Sequence, residues 1–219
     1  DGKVKLGIIP LENSIQGTLN EALDGINYNG LHIIKAIVIP INHCLAALQG
    51  HGEVHRIISH PQALTQCSRF IENHYPDARL EQTLSTAEAF QKVNERQLVN
   101  SAALGPELAA KIYGLSIIKE GVEDEIDNQT RFVVVSRDST NDSEGTKSSI
   151  VIFPFHERQG LLFNLLRFFD QEKINLTKIE SRPMKDKLGK YIFYIDFDGN
   201  INNGGAQRAL ANIAQHVGS

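Results

Sequence analysis

Asp127-Asn128-Gln129-Thr130-Arg131-Phe132-Val133-Val134-Val135 sets two amides, a hydroxyl and a guanidinium close together, directly ahead of a β-branched apolar run. Such a run predicts a buried strand. The polar cluster then sits at the mouth of a strand, where α/β sheets place their ligands. The residues before it supply scaffold and partner side chains for one pocket. The residues after it belong to a second domain.

Upstream, the unit strand–polar turn–helix repeats. Leu6 to Pro10 reads as a strand and Leu11 to Gly17 as a polar turn. Thr18-Leu19-Asn20-Glu21 fits a capping box, opening a helix that stops near Gly25. Glu12, Asn13 and Ser14 therefore lie between a strand end and a helix start. Orphan N–H groups there favour an anion; alternatively, Asn13 and Ser14 only tie the turn together. Leu31 to Ile39, Ile41 to Leu48 and Arg56 to Ser59 are further strands.

Pro61 suits a first helical position. Ala63, Leu64, Cys67, Phe70 and Ile71 then recur on one face of a single helix. His60 and Gln62 sit at that strand-to-helix junction, as cap or as catalyst. Ser85-Thr86-Ala87-Glu88 is a second capping box, either a plain N-cap or a carboxylate site. Ala102 to Gly105 and Leu115 to Ile118 are strands flanking a helix from Glu107 to Tyr113, and an acidic loop from Glu120 leads into the stretch quoted first.

This alternation predicts α/β architecture with helices packed on a sheet. Four polar turns (Glu12 to Ser14, His60 to Gln62, Ser85-Thr86, Asn128 to Arg131) then have the means to converge on one cleft. Their donors are mostly neutral, with Arg131 the fixed cation. That suits a small carboxylate rather than a polyphosphate, and neither GxGxxG nor GxxxxGK[ST] is present.

With 219 residues the chain has room for one large or two modest domains. A net charge of −4 gives no basic footprint for nucleic acid. No apolar run approaches the ~20 residues of a membrane span. Asp1-Gly2-Lys3 shows no signal peptide, and the two cysteines, Cys44 and Cys67, lack CxxC spacing. The expectation is a cytoplasmic protein with reduced, structural thiols. His43 and His51 have no third partner at metal-ligand spacing, so no metal is expected.

Asp138 to Ser149 is polar and reads as a linker. Beyond it come a strand at Ile150 to Pro154, a helix at Gly160 to Gln171, strands at Ile174 to Ser181 and Lys190 to Phe197, and a helix at Ala206 to His216. This βαββα order is most of a ferredoxin-like unit, with an edge that pairs with a second copy.

Taken in order, Gly7-Ile8-Ile9-Pro10-Leu11-Glu12-Asn13-Ser14-Ile15-Gln16-Gly17, His60-Pro61-Gln62-Ala63-Leu64-Thr65-Gln66-Cys67, Ser85-Thr86-Ala87, Asn128-Gln129-Thr130-Arg131-Phe132 and Ile174 to Pro183 resemble the prephenate dehydratase family. The resemblance covers most of the chain. It implies a two-lobed, periplasmic-binding-protein-like catalytic domain over 1–137, with lobe 1 at about 1–30 and 128–137 and lobe 2 at about 31–127. A linker at 138–148 and an ACT regulatory domain of ferredoxin-like fold at 149–219 follow. The family's first strand and its Gly-Thr-Phe-Ser segment have no counterpart, so an N-terminally incomplete chain is expected.

The resemblance also implies conversion of prephenate to phenylpyruvate without metal or organic cofactor. Thr130 would lie nearest the departing hydroxyl, with His60 as the rival acid. Arg131 would pair a substrate carboxylate or brace the lobes. Asn13, Ser14, Gln62, Ser85, Thr86 and Asn128 would be substrate donors. Family members bind phenylalanine at an ACT dimer interface, which maps onto Gly160, Leu161, Leu162, Asn175, Leu176, Glu180 and Ser181. Leu161 stands where the family has alanine, narrowing that space. A homodimer or tetramer is expected, partly through the ACT domain. The alternatives are arogenate as substrate, a catalytically silent sensor of carboxylates or amino acids, and an interaction protein that dimerises.

Overall fold

The computed structural model describes residues 4–138, 144–155, 158–184 and 190–217. The expected linker falls partly, at 139–143, outside the described residues. In chain order the elements are β1 (Leu6–Asn13), β2 (Gly17–Thr18), α1 (Asn20–Tyr28), β3 (His32–Pro40), β4 (Cys44–Ala47), β5 (Arg56–Ser59), α2 (Pro61–Gln66), α3 (Ser68–His74), β6 (Arg79–Gln82), α4 (Thr86–Glu95), β7 (Ser101–Gly105), α5 (Glu107–Ile112), β8 (Ser116–Glu120), β9 (Gln129–Ser136), β10 (Lys147–Ile152), α6 (Leu161–Gln171), β11 (Leu176–Pro183), β12 (Tyr191–Asp198) and α7 (Gly204–Val217). Three sheets result, in strand orders β2-β1-β9-β3, β6-β5-β7-β4-β8 and β10-β12-β11.

The chain divides into two compact units. One comprises Ile8–Ala22 and Ala36–Val133; the other comprises Asp1–Gly7, Leu23–Lys35 and Val134–Ser219.

In the first unit the five-stranded sheet is buried on both faces. Leu45, Ala47, Ile57, Ala102 and Leu104 point to one side, against Leu64, Cys67 and Ile71 of the α2–α3 region. Cys44, Ala46, Ile58 and Ala103 point to the other, against Phe90 and Val93 of α4 and Ala110 of α5. This is why β4 and β7 read as unbroken apolar runs rather than alternating ones. Small residues on these strands let the helices approach closely. Gly105 shows the limit: an added Cβ would lie 2.8 Å from the Phe90 ring and 3.0 Å from Thr86.

β5, β6 and β7 are parallel. Their carboxyl ends, followed by His60, Thr83 and Pro106, therefore share one edge of the sheet. β4 runs antiparallel to β7 and β8, pairing Cys44 with Gly105 and with Glu120. The start of β4 and the end of β8 lie at that same edge.

In the second unit β12 is the central strand of an antiparallel sheet. Phe193, Ile195 and Phe197 pack against Leu165 and Phe169 of α6 and Ala209 and Ile213 of α7. The intervening Ile192, Tyr194 and Asp196 are also buried. Asp24 of α1 pairs with Arg182 of β11 at 2.7 Å.

Two local expectations are corrected. First, α1 runs through Gly25 to Tyr28. Leu23 and Ile26 are buried on one face, and the stop comes later, at Gly30 with φ +58°. There Leu31 N–H donates to Ile26 O and Gly30 N–H to Asn27 O, a Schellman ending. Second, the single helix expected after Pro61 is two, broken at Cys67. Asp124 is the cause. Its N–H donates to Gln66 O at 2.7 Å. Its carboxylate accepts from Ser68 Oγ and from the N–H groups of Arg69 and Phe70. A residue more than fifty positions away thus ends one helix and caps the next. In addition β6, a strand of little sequence signal, pairs with β5.

Candidate functional site

Asn13 is the hub of the polar turns, and it is 5% exposed. Its Oδ1 accepts from the N–H groups of Ile15 and Gln16, both at 3.0 Å, which closes the turn after β1. Its Nδ2 donates to Asn128 Oδ1 at 2.8 Å, to Thr130 Oγ1 at 3.0 Å and to Gln129 O at 3.2 Å. Ser14 completes the seam. Its N–H donates to Gln129 O, and its Oγ donates to Asp127 O and accepts from Gln129 N–H. Ile41 N–H donates to Asn128 O at 2.8 Å, tying the stretch to the segment entering β4. The expected meeting of Asn13, Ser14, Asn128 and Thr130 is thus a direct hydrogen-bonded cluster.

Arg131 bonds the Glu12 carboxylate through Nε at 3.1 Å and Nη2 at 2.8 Å. This bond pins β9 to β1 within the expected lobe 1, one residue beyond the Asn13–Thr130 bond. Glu12 is a partner the sequence reading did not assign.

His60 caps α2, its Nδ1 accepting from Gln62 N–H at 3.2 Å. In the neutral ring the proton then sits on Nε2, which faces away from the helix as a donor. Gln62 Nε2 donates to Gln16 Oε1 at 3.0 Å, which brings the α2 N-terminus to the Asn13 turn. Gln16 is a second partner not assigned from sequence.

Ser85 caps α4 by accepting from Glu88 N–H. The Glu88 carboxylate reaches Leu84 N–H rather than Ser85, a capping box displaced by one residue. Thr83 N–H donates to Ser59 O, so this turn sits beside the His60 turn. Thr86 packs under Gly105. All four turns thus gather at the edge where β5, β6 and β7 end.

His43 is buried, 6% exposed. It bonds Gln66 Oε1 through Nε2 at 3.0 Å, and its backbone N–H donates to the Glu123 carboxylate. With Asp124 it fixes the loop that delivers Asn128. The signal for this lay in long-range pairing, which spacing does not reveal. Both thiols are buried, and burial pushes Cys44 up to about 11 and Cys67 up to about 12. Structural cysteines behave in this way.

In the second unit, Gly160 takes φ +78° at the start of α6. Leu161, 6% exposed, packs in the core cluster of this unit. Leu162 faces outward. Asn175 donates to the Asp198 carboxylate at 2.7 Å, Leu176 packs at the rim of the core, and Glu180 pairs with Lys178. Ser181 pairs with Phe193 in the sheet. Pro154, Leu161, Lys190, Tyr191 and Phe193 line a shallow crevice of about 20 Å³.

Fold and site together define a mixed α/β protein with a neutral amide–hydroxyl site at the carboxyl edge of a sheet. The prephenate dehydratase family profile matches residues 1–140. Prephenate dehydratase of Lactococcus lactis is 34% identical over 93% of this chain and 74% of its own length. Arogenate dehydratase 1 of Petunia hybrida is 36% identical over 95% of this chain and 53% of its own. Among solved structures, the prephenate dehydratase of Arthrobacter aurescens, in complex with L-Phe, superposes with a TM-score of 0.85 at 32% identity, covering 99% of this chain and 72% of that one. A structure described as GqqA, a novel type of quorum quenching acylase, superposes at 0.86 and 26% identity, covering 100% of this chain and 80% of that one. The chain belongs to the prephenate dehydratase family. It spans between about half and three quarters of the length of the curated relatives it matches.

Proposed function

We propose that this chain carries the dehydratase chemistry of its family: decarboxylating dehydration of prephenate to phenylpyruvate, in the making of phenylalanine. The observation that carries this reading is the hydrogen-bonded cluster of Asn13, Asn128 and Thr130 at the sheet edge. In the reaction the bond from the ring to its carboxylate breaks and carbon dioxide leaves. The electron pair moves through the ring diene, the ring hydroxyl departs with a proton as water, and the ring becomes aromatic. The protein need only hold the dianion and donate to the departing oxygen, work that positioning and preorganised donors supply. Thr130 supplies that donor; a threonine hydroxyl serves as an oriented donor rather than a proton reservoir. His60 Nε2–H and the donors of Gln62, Ser85 and Thr86 line the same edge and suit the carboxylates. Arogenate shares the reacting ring, and both substrates belong in the assay.

The reading includes a two-lobed catalytic domain over 1–137 (lobe 1 at 1–30 and 128–137, lobe 2 at 31–127) and a linker at 138–148. It also includes an ACT domain at 149–219, feedback by phenylalanine near Gly160 to Leu162 and Asn175 to Ser181, a homo-oligomer, and a cytoplasmic location. The antiparallel β10-β12-β11 sheet with two helices on one face supports the ACT assignment.

The acylase likeness suggests a second reading, acyl transfer to water. That chemistry needs an activated nucleophile. Burial holds both thiols neutral, and Ser85 Oγ has no base bonded to it among the described residues, its bond being an accepted one from Glu88 N–H.

The test uses the full-length protein. Phenylpyruvate formation is followed by its absorbance in base, beside release of free acid from an acylated amine. Prephenate turnover that falls ~10²–10³-fold in Thr130→Ala is expected. Acid release without phenylpyruvate would overturn the dehydratase reading.

A further inference from the structure

We infer that Asn13 is a positioning residue: it fixes Thr130 as an obligate donor and, with Asn128, frames a two-donor seat for one ligand oxygen. The inference rests on the dehydratase reading for the identity of that oxygen, but its geometry stands on hydrogen bonds within the chain.

Two backbone N–H groups, of Ile15 and Gln16, point at the same side-chain atom of Asn13. Only an oxygen can accept both, so the amide orientation is determined by the turn. The other terminal atom is then the nitrogen, which has no acceptor capacity. Thr130 Oγ1, 3.0 Å from it, must therefore accept. A hydroxyl that accepts at its lone pair keeps its single proton for another partner. Asn13 Nδ2 is the partner found for Thr130 Oγ1, so that proton has no acceptor within the described residues.

Asn128 repeats the logic. Its Oδ1 accepts from the same Asn13 nitrogen at 2.8 Å, which turns its own Nδ2 the other way. That Nδ2 is buried and has no hydrogen-bond partner, in a residue 1% exposed. A buried amide donor without an acceptor costs free energy and is uncommon in native proteins. Two donors without acceptors, both set by one nitrogen, complement an oxygen that gathers negative charge. In the proposed reaction that oxygen is the departing ring hydroxyl. Asn13 itself touches no ligand, because its polar atoms are occupied within the chain.

Asn13→Asp tests the polarity. One carboxylate oxygen keeps the turn by accepting from Ile15 and Gln16. The other accepts from Thr130 instead of donating to it, and so takes the proton meant for the ligand. In the full-length protein the expected result is a fall in kcat of about 100-fold, with KM within about threefold. In a Thr130→Ala background, the further loss from Asn13→Asp is much smaller than in wild type, because one of the two donors it sets is already gone. A residue that merely held the turn would show additive losses in that cycle. Additive losses, or an Asn13→Asp protein with wild-type kcat, would overturn the inference.

A second measurement needs neither turnover nor a folded Asn13 variant. In wild type the Asn13 side-chain amide protons exchange slowly in NMR spectra, and their signals shift in Thr130→Val, which keeps shape but removes the acceptor. Unchanged signals would overturn the inference. A shift in a protein that makes no phenylpyruvate would sink the dehydratase reading alone and leave the Asn13 geometry standing.

Discussion

Two polar constellations here are each stitched from residues more than a hundred positions apart, and they follow opposite electrostatic plans. In one unit Asn13, Asn128 and Thr130 form a buried cluster with no formal charge, and one donor, Asn128 Nδ2, is left without an acceptor. In the other, Asp24 and Arg182 meet as an ion pair at 2.7 Å, their side chains 14% and 20% exposed. The ion pair satisfies itself. Removing one partner takes from the other its opposite charge, so the pair serves the fold. The neutral cluster gives up stability by leaving a donor idle, a cost that an acceptor on a ligand would offset. In these two constellations the idle donor lies at the candidate site and the paired charges lie in the frame.

Asn128→Leu gives the sharpest break in this comparison. The variant deletes the idle donor together with the acceptor of one Asn13 bond. We expect kcat for prephenate to drop about 100-fold, while Tm stays within ~2 °C of wild type. The lost Asn13 bond is offset by removal of an unsatisfied buried amide. Steady-state kinetics beside a thermal melt decide the matter, and a large fall in Tm would make Asn128 part of the frame instead.

Arg182→Met should behave the opposite way. Asp24 would be left partly buried without its guanidinium, and neighbouring Tyr194, whose ionisation burial already disfavours, offers no positive charge. The expected cost is about 2 kcal/mol in urea unfolding, with effector-free turnover within about threefold of wild type. Adding Asp24→Asn should recover most of the loss. A double variant as unstable as the single would show that packing, not charge, holds this contact.

Much of this was readable from the chain because it rests on local chemistry. Pro61 after His60, Ser85 three residues before Glu88 and the apolar runs of β4 and β7 each declare themselves within a few residues. The site residues were legible as donors at strand and helix ends, and family likeness supplied their grouping. What stayed hidden was decided by tertiary partners. Asp124 splits one expected helix into two. Glu12 bonds Arg131 across two strands that are distant in sequence. Leu161 both packs in the α6–β12 core and lines the crevice beside it. The direction of a side chain is a property of packing, and spacing alone cannot give it.

The thiols extend the comparison to groups that carry no charge but could. Burial raises Cys44 to about 11 and Cys67 to about 12, with nearby carboxylates adding to the effect. At pH 8 the thiolate of Cys44 would be roughly one part in a thousand. A disulfide reagent at pH 8 should leave both unmodified in the native protein and modify both in urea. Rapid labelling of the native protein would mean that the β4 edge opens.

The smallest effect is expected at a third constellation, charged like the ion pair but nearer the surface. Glu81 of β6 bonds Lys92 and Arg56, and these cations, Lys92 foremost, hold its carboxyl below the usual range. A carboxyl depressed in the folded state binds fewer protons there than in the unfolded chain. Its contribution is therefore present above the unfolded value of roughly 4.3 and is lost as pH falls through the lower folded value. Solvent reaches this edge strand, so the contribution is small. We expect Glu81→Gln to lower Tm by only about 1–2 °C at pH 7, with the gap to wild type closing as pH falls below roughly 4. Melts across that range are the measurement. A gap that widens in acid would mean that Glu81 is not held ionised by Lys92. A gap as large as that of Arg182→Met would mean that exposure does not separate these two ion pairs.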